Sequence, residues 1–303
     1  MSFMLLGILN AQASGSGRVG VAGYWAGGNA SPKISSADKL SFADETRTTL
    51  ASKLAAGTFG LAGMADSGVA GYLGGGYDDS YTATVNKLSF PSDSRSSLAS
   101  GLSVARYYLG AMANWGVAGY FGGGDDNTYQ TTVDKYAFPS DSRSTLGTGL
   151  SAETVMGGGM SNAEVAGYFG GGYVDDNVTT VNKFAFPSDS RSTLGTGLSV
   201  ARRLLATFAD SAVAGYFAGG LGGETTVDKF AFPSDTRSTL GTGLSGNSDG
   251  IAGFANSGSA GYVGRINYTT AINKFSFPSD TRSTLGAVLS TTALAPGGMA
   301  DEG

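Results

Sequence analysis

Tyrosine and aspartate side chains are concentrated in short segments that directly follow runs of glycine. The residues of this set are Tyr77, Asp78, Asp79, Tyr81, Asp125, Asp126, Tyr129, Tyr173, Asp175 and Asp176. A tyrosine offers a flat apolar ring with a hydrogen-bonding hydroxyl at its tip, and a carboxylate accepts hydrogen bonds from hydroxyl groups. Together these residue types favour the binding of a sugar or of a protein surface.

A second set of candidate ligand-binding residues stands in the segments that join consecutive repeats, with one further tyrosine in the corresponding loop of the sixth repeat. It consists of Arg106, Tyr107, Tyr108, Arg202 and Tyr268. The arginines would add positive charge to a surface otherwise made of rings and carboxylates. For any one segment, a solvated loop that binds nothing is the alternative. The binding hypothesis applies to the segments taken together.

The paired aspartates also raise the questions of metal binding and catalysis. Calcium prefers clustered oxygen ligands, but no segment has the alternating Asp-x-Asp-x-Asn-Gly pattern of a calcium loop. The carboxylates are therefore predicted to be solvated, and no metal site is predicted. Nothing places an aspartate in an apolar pocket, as a catalytic acid requires, so a carboxylate-dependent glycan hydrolase stays a remote alternative.

The chain contains no histidine and no cysteine. Thiol nucleophiles, imidazole bases, disulfides and Cys/His zinc sites are therefore excluded, and the sequence predicts a protein that is not an enzyme and uses no cofactor. The net charge is -5, and no basic stripe is present to attract nucleic acid. Because no run of about 20 apolar residues occurs, insertion into a membrane is not expected.

These residues are positioned by a repeat that runs through the whole chain. A Gly-Tyr pair recurs every 48 residues, with a last interval of 46, at Tyr24, Tyr72, Tyr120, Tyr168, Tyr216 and Tyr262. A fixed period of this length around a short β-like string indicates a propeller or a solenoid. The 50 glycines form no collagen-like triplet, so they are assigned to turns and close strand packing.

The fifth repeat shows the expected strands most clearly. Its four extended segments are Leu205–Asp210, Val213–Gly219, Thr225–Phe232 and Arg237–Leu240. Four strands in a unit of this size are typical of a propeller blade. The first segment, rich in small residues, suits a crowded central channel, and the polar fourth suits the outer rim, where an edge strand must not pair with other chains.

The two ends of the chain are predicted to meet in the first blade. The first repeat lacks an inner strand, and Gly298–Asp301 resembles the strings Met64–Asp66 and Met112–Asn114 that precede the next two Gly-Tyr pairs. We therefore expect residues 17–303 to form an all-β, six-bladed propeller of four-stranded blades, with the first blade completed by the C-terminal strand.

Residues 1–16 are interpreted as a separate N-terminal arm. Phe3–Leu9 is apolar and Ser14–Gly17 is a flexible link. Ala11-Gln12-Ala13 resembles a signal-peptidase site, but no lysine or arginine precedes the apolar run. The arm is expected to dock on other proteins. The alternative is that it covers the first blade.

Three further sets of charged residues recur once per repeat. They are Lys39, Lys87, Lys135, Lys183, Lys229 and Lys274; Arg47, Arg95, Arg143, Arg191, Arg237 and Arg282; and Glu45, Asp93, Asp141, Asp189, Asp235 and Asp280. Because a ligand site rarely repeats six-fold, these sets are predicted to tie turns and neighbouring strands by hydrogen bonds and ion pairs.

The order of these signals resembles a kelch repeat. The matching residues are Arg106 and Arg202 after the inter-blade loop, Tyr120 and Tyr216 before the double glycine, and the doublets Gly122-Gly123 and Gly219-Gly220. The fourth strand departs from the kelch pattern, since it has Arg-Ser-Thr-Leu where a kelch repeat has Trp. The resemblance implies kelch-like blades whose inter-blade loops and second-to-third-strand loops share one face. All the candidate ligand-binding residues would then lie on that face.

The repeated strings also resemble proteins of tailed bacteriophages. TTVDKFAFPSDTRSTLGTGLS and GYFGGG, together with the apolar opening LLGILNAQASG, are similar to repeat proteins associated with phage tails and other virion structures. The resemblance implies a structural virion protein in a tail fibre, tail tip or baseplate that binds host polysaccharide or protein. Its arm would bind other virion proteins. A purely architectural decoration or connector is the alternative.

Overall fold

A computed structural model of the chain describes residues 20–51, 53–221 and 225–302, and in them all regular structure is β. Twenty-four strands form six antiparallel four-stranded sheets. Blade 1 contains β1 (Ala22–Ala26), β2 (Ala37–Ser41), β3 (Arg47–Leu50) and β24 (Gly297–Asp301). Blade 2 contains β4 (Ala62–Asp66), β5 (Ala70–Gly74), β6 (Val85–Ser89) and β7 (Ser94–Ser97). Blade 3 contains β8 (Gly110–Asn114), β9 (Ala118–Gly122), β10 (Val133–Ala137) and β11 (Ser142–Thr145).

The second half of the ring repeats this pattern. Blade 4 contains β12 (Gly158–Asn162), β13 (Ala166–Gly170), β14 (Val181–Ala185) and β15 (Ser190–Thr193). Blade 5 contains β16 (Ala206–Asp210), β17 (Ala214–Ala218), β18 (Val227–Ala231) and β19 (Thr236–Thr239). Blade 6 contains β20 (Gly253–Asn256), β21 (Ala260–Ile266), β22 (Ala271–Ser276) and β23 (Thr281–Thr284). The prediction of an all-β, six-bladed propeller is confirmed.

Blade 1 is closed by the last strand of the chain, as predicted. Its strand order is β24-β1-β2-β3, and β24 pairs antiparallel to β1 with Asp301 opposite Ala22 and Gly297 opposite Ala26. Met299 is 3% exposed and packs in the cluster that contains Tyr24. The predicted arm, residues 1–16, lies outside the described residues.

The innermost strands approach one another so closely at the channel that side chains are restricted. A Cβ atom on Gly159 would lie 2.2 Å from the carbonyl oxygen of Ala111, and one on Gly63 would lie 2.4 Å from that of Gly298. Glycine is therefore required at these points, because the backbone of one inner strand faces the backbone of the next.

The second strand of every blade is buried on both faces between two neighbouring blades. Its Gly-Tyr tyrosine stacks on the phenylalanine of the next blade's turn, with ring centroids 5.1 Å apart for Tyr72 and Phe138. The glycine before each tyrosine leaves room for a side chain from the preceding blade, such as Met64 against Gly119. Packing between blades therefore explains why the Gly-Tyr pair recurs.

Each blade is also joined to the next by a polar clamp around one carboxylate. The Tyr72 hydroxyl donates to Asp141 over 2.7 Å, the Lys87 ammonium lies 2.6 Å from the same carboxylate, and Lys87 also covers the Tyr72 ring. Burial, the hydrogen bond and the charge of Asp141 all raise the pKa of Tyr72, which keeps it a donor. The other clamps are Tyr24 and Lys39 on Asp93, Tyr120 and Lys135 on Asp189, Tyr168 and Lys183 on Asp235, Tyr216 and Lys229 on Asp280, and Tyr262 and Lys274 on Glu45.

The structural role predicted for the recurring lysines and acids is thus confirmed, and the partners lie in adjacent blades. The recurring arginines have two kinds of partner. Arg47 and Arg143 lie 3.4 and 3.5 Å from Asp38 and Asp134 of their own blades. Arg237 and Arg282 instead donate to the carbonyls of Gly197 and Gly243, in the loops that precede their blades.

A closed ring of backbone hydrogen bonds surrounds the channel mouth on one face. The amide of Tyr108 donates to the carbonyl of Gly60 over 2.6 Å. Each following member then donates to the one before it, in the order Met156, Leu204, Gly250 and Ala295. The amide of Gly60 closes the ring by donating to the carbonyl of Ala295 over 2.9 Å. We call the side of the propeller that carries this ring the loop face, because the inter-blade loops and the second-to-third-strand loops lie on it. The opposite side, with the turns between first and second strands, is the turn face.

Candidate functional site

The three glycine-following segments are small hairpins on the loop face. Residues 77–81, 125–129 and 173–177 each close with a bridge between their first and last residues. Each also pairs with the loop that enters the same blade, through bridges such as Tyr107 to Asp125 and Val155 to Tyr173. The prediction that the two kinds of loop share a face is confirmed.

Five aromatic rings meet where blades 2 and 3 adjoin. Ring centroids are 4.3 Å apart for Tyr107 and Tyr108, 5.3 Å for Tyr81 and Tyr107, and 5.6 Å for Phe59 and Tyr77. All five residues are half-buried, so parts of the rings stay accessible to solvent. Phe59 was not among the predicted residues, although it occupies the repeat position of Tyr107, 48 residues earlier.

The aromatic surface continues toward blade 4. The rings of Tyr129 and Tyr173 meet edge to face at 5.9 Å, and the Arg203 guanidinium lies 4.5 Å from the centre of the Tyr173 ring. Arg203 also donates to the Asn177 side chain over 3.0 Å. We call the seven residues Phe59, Tyr77, Tyr81, Tyr107, Tyr108, Tyr129 and Tyr173 the aromatic arc.

Carboxylates line the arc and stay accessible. Asp79, Asp175 and Asp176 are exposed, while Asp78, Asp125 and Asp126 are half-exposed.

The pKa values of one carboxylate and of one tyrosine on the arc are shifted by their surroundings. Hydrogen bonds from Thr128 and Gln130 outweigh partial burial and lower the pKa of Asp126. Burial and then the charge of Asp125 raise the pKa of Tyr107 to about 12. The arc is therefore an electronegative, partly apolar surface at neutral pH.

Arg106 and Arg202 do not belong to this surface, and their predicted ligand-binding role is wrong. Both side chains are 0% exposed, and their guanidinium groups lie 3.1 and 3.0 Å from Asp134 and Asp228 of the same blade. Arg202 also donates to the carbonyl of Phe217. The inter-blade loops do carry these arginines, but the side chains point into the blade.

Tyr268 stands apart from the arc. It is 47% exposed on blade 6, and the Arg265 guanidinium lies over its ring at 5.2 Å. Within the described residues no aromatic ring packs against it. The structure therefore brings the predicted tyrosines of blades 2, 3 and 4 together and leaves that of blade 6 separate.

The buried carboxylates Asp134 and Asp228 predict a loss of stability at acid pH. Burial alone would raise the pKa of Asp134, but hydrogen bonds from Ser103 and the charge of Arg106 hold it below its usual value. A folded-state pKa below the unfolded one adds stability at neutral pH, and this is lost as the pH falls from about 5 toward 2. Urea unfolding midpoints measured across that range should fall, and less steeply for a variant with Asp134→Asn and Arg106→Thr. Equal slopes for the two proteins would contradict this.

Comparison with known protein families and with curated proteins found no match to this chain. Within the described residues, no group of three or more acidic side chains is placed to hold a metal ion, and no helix is long and apolar enough to cross a membrane.

Proposed function

We propose that this propeller is a non-enzymatic binding component of a tailed-bacteriophage particle, and that its loop face binds polysaccharide on the host surface. The aromatic arc with its accessible carboxylates is the observation that carries the binding role. Rings stack on the apolar faces of sugars, while carboxylates and the Tyr hydroxyls accept and donate hydrogen bonds. The virion setting, and a tail-fibre, tail-tip or baseplate position, rest on the resemblance of the repeated strings to phage and kelch-like repeats.

The described part of the chain enters β1 and leaves β24 on the turn face. Gly20 leads into β1 and Glu302 follows β24, and the amide of Val21 donates to the carbonyl of Asp301 over 2.8 Å there. These two points lie on the side opposite to the arc, which leaves the loop face open to a ligand.

The carboxylates favour binding over hydrolysis. A general acid needs a pKa raised toward neutrality, usually by an apolar pocket. Asp126 instead has a lowered pKa, and its neighbours Asp125, Asp175 and Asp176 lie in accessible hairpins. These groups suit hydrogen bonding to a ligand.

A purely architectural role is the second candidate, and a ring of apolar side chains on the turn face favours it. The valines that directly precede the second strands are 44–47% exposed in five blades. They are Val21, Val69, Val117, Val165 and Val213. Such a ring could contact another virion protein.

Alanine at two arc tyrosines should separate these roles. The double variant Tyr81→Ala and Tyr129→Ala removes two rings that lie on the surface, and we expect binding to host cells to weaken about tenfold or more. The measurement is saturation binding of fluorescently labelled protein to host cells, with and without free surface polysaccharide.

Tyr268→Ala is the matched control, because it removes an exposed ring outside the arc. It should bind as the unchanged protein does. Equal binding by the double variant, with its thermal midpoint intact, would reject the arc as the contact surface. Absence of binding by folded, unchanged protein would favour the architectural role.

A further inference from the structure

The chain itself supplies a cation to each end of the aromatic arc. At the blade 2 end, the Lys33 ammonium lies 5.2 Å from the centre of the Tyr77 ring and 2.5 Å from Asp79. At the blade 4 end, the Arg203 guanidinium lies over Tyr173 and donates to Asn177. In both places a hairpin ring and a hairpin polar group hold one positive charge, as cations over aromatic faces commonly are held.

The hairpin of blade 3 differs from both and holds no such cation. Its first residue is Asp125, where blades 2 and 4 have Tyr77 and Tyr173, and Asp125 forms bridges to Tyr107 of the entering loop and to Tyr129. Asp126 provides a second carboxylate beside these two rings. Among the described residues, no lysine or arginine forms an ion pair with either carboxylate. The buried Arg106 is paired with Asp134 at 3.1 Å, and its charge acts on Asp126 without an ion pair between them.

From this comparison of three equivalent hairpins we infer that the blade 3 hairpin takes a positively charged group from the ligand. If the ligand is a polysaccharide, as the proposed function holds, this group is the free amine of an amino sugar. An ammonium there would gain the faces of Tyr107 and Tyr129 and the charges of Asp125 and Asp126. The structure thus assigns the arc a cationic glycan and disfavours polyuronates.

The surrounding charges support this preference. Of the acidic residues on the arc hairpins, only Asp79 has an ion-pair partner among the described residues. Asp78, Asp175 and Asp176 flank the blade 3 hairpin on its two sides and add to the negative potential. A carboxylate-bearing polymer lying along the arc would meet like charge at each hairpin, which is costly at low ionic strength.

Three oligosaccharides of equal length test the inference with the full chain. They are a glucosamine oligomer with free amines, the same oligomer fully N-acetylated, and a galacturonate oligomer. Calorimetric titration should show the free-amine oligomer binding at least about tenfold more tightly than the acetylated one. The difference should shrink at high salt, because added ions screen the carboxylates. The galacturonate oligomer should show no binding.

A charge-matched pair of variants locates the effect. Asp125→Asn with Asp126→Asn keeps the hairpin's hydrogen-bond acceptors but removes two charges, and it should reduce the preference for the free-amine oligomer by about tenfold. Asp44→Asn with Glu164→Gln removes two exposed charges from the turn face and should leave the preference unchanged.

The outcomes separate this inference from the proposed function. If the amine-bearing and acetylated oligomers bind equally, and both lose affinity on Tyr81→Ala, the arc binds glycans but the cation site is refuted. If the Asn variant keeps the preference, the blade 3 hairpin is not the site. If no oligomer binds and host-cell binding instead disappears after protease treatment of the cells, the ligand is a protein and both proposals fail.

Discussion

Replacing Arg106 with threonine should lower the free energy of unfolding by about 3–5 kcal/mol, because it leaves a carboxylate buried without its cation. Asp134 is 0% exposed and accepts from the Ser103 amide over 3.0 Å on the oxygen that also faces Arg106. That oxygen would lose the guanidinium and keep its desolvation. The loss should appear as a lower urea midpoint at pH 7.

Two other blades of the chain indicate which second substitution should restore the stability lost in this variant. Blades 2 and 4 have threonine in place of the arginine, Thr58 and Thr154, and there the buried carboxylate is replaced by Asn86 and Asn182. Asn182 accepts from the Ser151 amide over 3.0 Å, just as Asp134 accepts from Ser103. The neutral pair therefore keeps the same backbone contact without any buried charge.

The double variant, Arg106→Thr with Asp134→Asn, should therefore recover more than half of the stability lost in the single variant. Replacement of both members of a buried ion pair is often nearly neutral, whereas removal of one is not. The same experiment in blade 5, with Arg202 and Asp228, is an independent copy. If the double variant is as unstable as the single one, the cost comes from the volume of the lost side chain and not from the unpaired charge.

The fold could be predicted because repetition removes the ambiguity of a single segment. The fifth blade was expected to have strands at Leu205–Asp210 and Val213–Gly219, and the structure has them at Ala206–Asp210 and Ala214–Ala218. The errors are at strand ends, where backbone pairing and not side-chain pattern decides the limit.

The arginines of the candidate site were placed wrongly because burial of a charge depends on a distant partner. Arg202 lies in the loop that enters blade 5, and its burial is compensated by the charge of Asp228 and by the carbonyl of Phe217, which are distant in the sequence. The sequence does hold a signal for this pairing. In blades 2 to 6, the repeat position of Arg202 is arginine where the position of Asp228 is aspartate, and it is threonine or serine where that position is asparagine. Phe59 could likewise have been found by aligning it with Tyr107.

The backbone ring around the channel mouth could not be predicted from residue types. Tyr108, Met156 and Leu204 have positive φ angles of 54°, 62° and 56° at equivalent positions. Left-handed backbone normally favours glycine or asparagine, so these side chains gave no indication of it. The conformation is imposed by hydrogen bonds between neighbouring blades, which local sequence does not encode.

Removing the chain after Pro296 should destabilise the whole ring. The truncation deletes β24, which leaves β1 unpaired on one side and removes Met299, which is 3% exposed. Loss of the Met299 side chain alone would cost about 2–5 kcal/mol, and the lost strand pairing adds to that. The truncated chain should show a much lower thermal midpoint or aggregate through the exposed edge of β1.

A rearranged chain distinguishes loss of the strand from loss of chain length. In blade 2, Ser67, Gly68 and Val69 connect β4 to β5. Joining Glu302 directly to Gly20 would give β24 and β1 a turn of the same length, ending at Val21. A protein that begins at Gly297, continues through this junction and ends at Pro296 should therefore unfold at the midpoint of a chain that contains residues 20–302 in their original order. If it is as unstable as the truncated chain, the ring does not depend on pairing between β24 and β1, and closure by the C-terminal strand must be abandoned.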